Sequence, residues 1–290
     1  MLAIVGIIIV FGAVIGGYLM EKGHMLVLMQ PAEFVIIGGA ALGTMIIANP
    51  MRSLKAIAKG VIGVLGASKY TSKAYLETLK MLNDLFSSAR KNGVARLEAD
   101  VEEPDKSPVF SQYPKFLKDH HALDFLCDTL RMYLTGGVNP FDLDQMMELD
   151  MEVHHEESTE PIVALQTVAD SLPGLGIVAA VLGVVITMGA LGGPPEEIGH
   201  KVAAALVGTF LGILLCYGLF GPLATNMMKK SEDEARYYGC IRAGVMAFIK
   251  GAPPIMAVEF ARRSIPAHMR PSFKEVEAST KGAGAAAAAA

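Results

Sequence analysis

The sequence predicts an all-α integral membrane protein: four transmembrane helices, a helical cytoplasmic domain between the second and third, and a helical cytoplasmic tail. Three observations carry that reading. Of 290 residues, 52% are hydrophobic and only 19% charged, with mean hydropathy +0.41, whereas soluble domains carry about 25% charged residues. The charges are segregated, leaving four charge-free runs. Lysine and arginine gather almost wholly on one side of those runs. The same composition excludes other classes. Net charge −4 and a pI near 6.0 rule out a strongly basic nucleic-acid binder. Without Trp, and with 7% aromatics, the chain lacks stacking platforms. Cys127, Cys216 and Cys240 are far apart, odd in number and form no CxxC, so no disulfide framework or zinc-finger spacing exists.

Met1–Met20 is twenty residues without an Asp, Glu, Lys, Arg or His, and Phe34–Ala48 gives fifteen more between Glu33 and Asn49-Pro50. Ser171–Leu191 supplies twenty-one and Val202–Met228 twenty-seven. A helix needs about 20 apolar residues to cross the hydrocarbon layer. The second run is short, so it either borrows from Met25–Glu33 or sits in thinned bilayer. The first lacks a basic leading segment and a small-residue cleavage site, and reads as a retained span. The hinges between spans one and two and between three and four hold only Lys22 and Lys201. The other 23 of the 25 basic residues lie in 51–170 or in the tail, with Arg52, Lys55, Lys59, Lys229 and Lys230 close to span ends. Basic residues stay cytoplasmic, which puts the loop, the tail and both termini in the cytoplasm. The chain then divides into residues 1–50 (helices one and two), 51–170 (cytoplasmic domain), 171–228 (helices three and four) and 229–290 (tail).

In the cytoplasmic domain, Tyr75, Leu76, Leu79, Leu82, Leu85 and Phe86 recur at helical spacing up to a stop at Asn92-Gly93. A shorter helix runs from Val94 to about Glu103, ended by Pro104. Pro114 opens an apolar segment containing Phe116, Leu123, Leu126 and Leu130. Asn139-Pro140 caps a long helix, with Asn as N-cap and Pro at the first helical position, running to Asp170 and into the third span. Residues from Lys229 to about Ile249 read as helix, followed by Pro253-Pro254. The low-complexity end from Lys281 is assigned no function.

Each span carries small residues four apart: Gly12/Gly16, Gly39/Gly43, Gly176/Ala180 and Gly208/Gly212. That spacing allows close helix approach, first within the bundle and then against other subunits. No Asp, Glu, Lys, Arg or His lies inside the four runs, Glu33 at the edge of span two being the one intruder. Proton paths normally need an ionisable group within the membrane, so the chain either moves no ions or takes its carboxylate from a partner. Pro173 near the start of span three and Pro222 near the end of span four fall at one depth, where bends would link the spans to the soluble domain.

The run Ala205-Leu-Val-Gly-Thr-Phe-Leu-Gly-Ile-Leu, seven residues, then Pro222 resembles the signature of the MotA family of flagellar stator proteins. So do Leu172-Pro-Gly-Leu-Gly-Ile-Val-Ala-Ala, the segment Ser88-Ala-Arg90-Lys-Asn-Gly-Val-Ala-Arg96-Leu-Glu98 with Glu103-Pro104, and the tail pieces Ala257-Val-Glu-Phe-Ala-Arg-Arg and Arg270-Pro-Ser-Phe. The resemblance implies no enzyme and no cofactor. It implies a proton-type stator subunit of the bacterial inner membrane, a pentameric ring around two MotB spans. MotB supplies the channel aspartate and the peptidoglycan anchor, and the cytoplasmic domain pushes on the rotor protein FliG. Carried over by position, Thr209 lines the ion path, Pro173 and Pro222 couple channel to loop, and Arg90 and Glu98 meet oppositely charged rotor residues. Sodium-type relatives place a threonine where Ala180 stands; with Thr209 as the one opposing hydroxyl, the transported ion reads as H+. Two alternatives stay open. The ExbB/TolQ class also uses a partner's aspartate, but has three spans. A membrane metalloenzyme would use His120/His121 and His154/His155, although adjacent helical positions point about 100° apart and HExxH is absent.

Overall fold

The computed structural model describes residues 2–189 and 191–287, with side chains as far as residue 280 apart from residue 190. Every regular element among them is helical. In chain order these are α1 (Leu2–Met20), α2 (Met25–Leu28), α3 (Pro31–Ala48), α4 (Met51–Leu65), α5 (Ser72–Asn92), α6 (Val94–Glu102), α7 (Pro114–Leu117) and α8 (His120–Thr135). Then follow α9 (Pro140–Met188), α10 (Pro195–Leu215), a π turn (Cys216–Phe220), α11 (Gly221–Ile249), α12 (Pro254–Ser264) and α13 (Phe273–Ala287). Two short 3₁₀ turns, Pro104–Lys106 and Phe110–Gln112, link α6 to α7. The low-complexity end runs past the described residues, which stop at residue 287. The chain forms two compact units, one of residues 1–67 with 157–230, the other of 68–156 with 231–290.

The first unit contains α1, α3 and the apolar stretches of α9 and α10 through α11, four helices long and apolar enough to cross a membrane. Span two gains its length at the front. Pro31 sits in the first turn of α3, where a missing amide costs nothing, and Glu33 comes inside the helix. Outward faces are apolar, with Leu2 88% and Ile47 87% exposed, as lipid-facing surface requires. Helix α4 is different: Ile57 and Val64 pack inward against Leu223 and Met227 while Lys55 and Lys59 face out. Arg52 pairs with Glu157 at 2.8 Å, and the Ser53 hydroxyl donates to Glu160. The Lys230 ammonium donates to the carbonyls of Gly63 and Gly66 at 2.7 and 3.1 Å, which places a cation on the C-terminal carbonyls of α4.

The second unit has its own core, built on α5. Tyr75, Leu79, Leu82, Leu85 and Phe86 of α5 are fully buried against α6, α8, α11 and α12. Phe86 stacks on Phe248 with centroids 4.3 Å apart, and the Thr78 and Tyr237 hydroxyls meet at 2.6 Å. Both ends of α5 follow from sequence: the Thr71 side chain accepts from the Ala74 amide, and Gly93 takes φ 85°, which a Cβ would strain. Asn139 caps α9 through its Oδ1, which accepts from Phe141 and Asp142 at 2.9 Å. The segment opened by Pro114 holds two helices, α7 and α8. The break falls at Asp119, a carboxylate buried in the unit, paired with Lys69 at 2.7 Å and within reach of the Tyr70 hydroxyl. Extending α7 through this position would pull that carboxylate off its partners.

Candidate functional site

In the first unit α9 and α10 close on each other through glycine. A Cβ on Gly176 would sit 2.8 Å from the Gly208 carbonyl oxygen and 3.3 Å from the Thr209 Cα; one on Gly212 would sit 2.5 Å from the Leu172 carbonyl oxygen. A Cβ on Gly208 would lie 3.0 Å from that of Ala179, 3.3 Å from the Ala180 nitrogen and 2.5 Å from Glu33 Oε2. Gly176, Gly208 and Gly212 thus meet the small-residue expectation within the chain. By contrast, a Cβ on Gly12, Gly16, Gly39 or Gly43 would touch nothing, so those two pairs are unused by this chain's own packing.

This backbone contact brings Ala180 and Thr209 to one place, both half-buried. It also brings Glu33, a residue 6% exposed whose Oε2 has no hydrogen-bond partner among the described residues. The sequence reads Glu33 as an edge residue because it precedes the charge-free run. The signal for its burial is Pro31, which lets the helix begin early. Pro173 lies within α9, between the buried Leu172 and the Gly176 contact. Pro222 is exposed in the first turn of α11, directly after the π turn. Gly221 bonds back five residues to the Cys216 carbonyl, and Pro222 has no amide to donate. Pro222 and Asp170 line one open cavity, so both prolines border the same end of the α9–α10 hairpin.

In the second unit the Ser88–Glu98 segment spans the end of α5 and the start of α6. Arg90 and Glu98 are exposed, and neither makes an ion pair among the described residues. Arg96, inside the same segment, points back at Asp100, 3.3 Å away and 1% exposed, which also accepts from Ser107 at 2.7 Å. Arg96 serves the fold while Arg90, Lys91 and Glu98 are presented outward, a division the sequence could not make. Of the histidines, His121 and His154 bring their rings to 5.2 Å. Among the described residues no group of three or more His, Cys, Asp or Glu side chains could hold a metal ion.

The geometry defines a multi-pass helical membrane protein with a channel-type contact: a glycine-closed helix pair, one hydroxyl, one buried carboxylate and no chain of ionisable groups. Comparison with known proteins makes the class specific. Residues 4–93 match the family described as motility protein A N-terminal, and residues 118–239 the MotA/TolQ/ExbB proton channel family. Motility protein A of Salmonella typhimurium is 41% identical over 277 residues, 96% of this chain and 94% of that protein. Chemotaxis protein LafT of Vibrio parahaemolyticus is 36% identical over 94% of this chain and 95% of its own length. The flagellar MotAB stator complex of Bacillus subtilis has a chain of the same fold, with TM-score 0.74 and 25% identity over 92% of this chain and 97% of that one. A chain of C. jejuni MotAB, at 19% identity and TM-score 0.77 over 93% of this chain and 98% of that one, shares the fold. The chain belongs to the motility protein A family, the stator proteins of the flagellar motor within the proton channel group.

Proposed function

We propose that this chain, embedded in the bacterial inner membrane with both termini in the cytoplasm, forms a pentameric ring around two MotB spans and turns proton entry into torque on FliG. The observation that carries the reading is the close approach of α9 and α10 at Gly176 and Gly208, beside Ala180 and Thr209: a narrow helix interface that has a hydroxyl and one buried carboxylate but no chain of ionisable groups. An aspartate from MotB completes it, and Glu33 gives the path a carboxylate on the side of span two. Pro173 and Pro222 transmit the change in packing to the cytoplasmic parts, the second unit faces the rotor, and Arg90 and Glu98 engage it. The unused pairs Gly12/Gly16 and Gly39/Gly43 suit close contact with neighbouring subunits. Full-length similarity to motility proteins and four membrane-capable helices favour this over an ExbB/TolQ-type transducer.

Deleting the chain should leave flagella assembled and paralysed, and re-expression should restore swimming. Loss of the filaments themselves would contradict the reading. The ion follows from the same contact, because sodium needs several oxygen ligands and Ala179 and Ala180 add none. Rotation at fixed proton motive force should be indifferent to external sodium; rotation that scales with sodium and survives a protonophore would overturn the proton assignment.

A further inference from the structure

Below the glycine contact of α9 and α10, the first unit holds an open cavity of about 560 Å³. Its polar wall is Gln166, Asp170, Thr225, Asn226 and Lys229, with Pro222 at its edge. Four features single it out. Asp170 is the last charged residue before span three and Lys229 the first after span four, so a cavity that both line lies at the membrane–water boundary. Along α9, Asp170, Pro173, Ile177 and Ala180 are spaced i, i+3, i+7 and i+10, which puts them on one helix face. Ten residues of helix put Asp170 about 15 Å along the axis from Ala180. Finally, Pro222 cannot close the backbone bond to the preceding turn, which leaves carbonyl oxygen for water beside the Thr225 hydroxyl; that hydroxyl donates to the Gly221 carbonyl at 3.0 Å.

We propose that this cavity is the cytoplasmic proton exit vestibule and that Asp170 is its proton acceptor. The inference rests on the stator reading above. A proton leaving the partner's carboxylic acid, which returns to carboxylate, crosses by water to the Asp170 carboxylate. The carboxylic acid so formed then gives its proton to water or buffer and is ionised again, so Asp170 is unchanged over a cycle. Gln166 holds the acceptor in place: its amide donates to Asp170 Oδ1 at 2.8 Å, leaving Oδ2 for the incoming proton. Lys229 shares the cavity without an ion pair to Asp170 among the described residues, and its ammonium favours departure of a positive charge into the cytoplasm. The π turn keeps this mouth open, because regular helix here would bring the α11 backbone back into line with α10.

The test is motor rotation against load in cells expressing the chain with its MotB partner. Proton transfer limits speed at low load, whereas stall torque follows the driving force. Asp170→Asn should lower low-load speed at least about tenfold, a lower bound on what a positioned proton-transfer group contributes, and leave stall torque in place. Asp170→Glu should recover most of the speed. Low-load speed unchanged in Asp170→Asn would overturn the proposal, and so would a proportional loss of speed and stall torque, which marks a structural role. Should Asp170→Asn fail to assemble, Thr225→Cys labelled from the cytoplasmic side with a small thiol reagent decides the matter. Slower rotation than in the unlabelled variant, with labelled wild type unaffected, supports the vestibule; unchanged rotation after verified labelling overturns it. A wild-type chain that restores no rotation at all would instead sink the stator reading.

Discussion

Arg90 and Arg96 share one short segment yet answer to different constraints. Arg96 neutralises Asp100, a carboxylate 1% exposed whose other partner is Ser107. Arg90, in the last turn of α5, and Glu98, on α6, stand in solvent without an ion pair among the described residues. Exposed charges away from partners change stability by no more than about 0.5 kcal/mol, so Arg90→Ala and Glu98→Ala should weaken swimming torque while leaving the thermal unfolding of the detergent-solubilised chain where it was. Asp100→Ala should do the reverse at first hand. It strands Ser107 and Arg96 and should cost about 1–3 kcal/mol, visible as a lowered melting temperature. The motif itself marked the segment, but only burial separates the charge that holds the turn from those that stand in solvent. Glu33 makes the same point within the membrane, since a charge-free count stops one residue before it and the carboxylate still ends up buried against Gly208.

Helix ends were the most legible elements because their chemistry is local. Gly93, Asn139 and Pro140 each start or stop a helix through a bond to a near neighbour or a permitted φ, and all three do so in the structure. The break at Asp119 was not legible, because its cause is Lys69 and Tyr70, far off in sequence. Nor was the π turn, which appears only once helices pack. The two prolines act at this scale. Pro173→Leu and Pro222→Leu keep the apolar length that drives insertion, so membrane levels should hold while rotation is impaired or abolished; normal torque in either variant would show that these prolines only shape the helices. In the second unit, α12 carries a pH-sensitive tie. Glu259 accepts from Arg262 at 2.7 and 2.8 Å and from Arg263 at 2.7 Å, and those guanidiniums, Arg262 first, hold its carboxyl down at about 2. A depressed carboxylate contributes stability that is complete above its ordinary value near 4.5 and is lost as pH falls through about 2. The protection factors of the α12 amides, which correct exchange for the pH dependence of its intrinsic rate, should therefore be constant from neutral pH down to about 4.5 and fall below it. In Glu259→Gln they should be low already at neutral pH.

For the molecule as a whole, the four membrane-capable helices follow from long-range arithmetic on charge and apolar length, while the division into two units does not coincide with the sequence's own breaks. Residues 51–67, basic and apart from any span, belong with the spans because α4 buries Ile57 and Val64 there and Lys230 caps its carbonyls. Ala180 and Thr209, the residues proposed for the ion path, were picked out by motif, but their placement near one another depends on three glycines touching across α9 and α10. That contact states the central claim in physical terms: the path is incomplete. Glu33 is the one buried carboxylate at the contact, and its Oε2 has no hydrogen-bond partner among the described residues. The most direct measurement is proton flux into liposomes under an imposed potential, with this chain alone and with the chain reconstituted together with MotB. The account predicts no flux above lipid background for the chain alone and clear flux for the pair, abolished when the MotB channel aspartate is replaced by asparagine. Robust flux through the chain alone would contradict it.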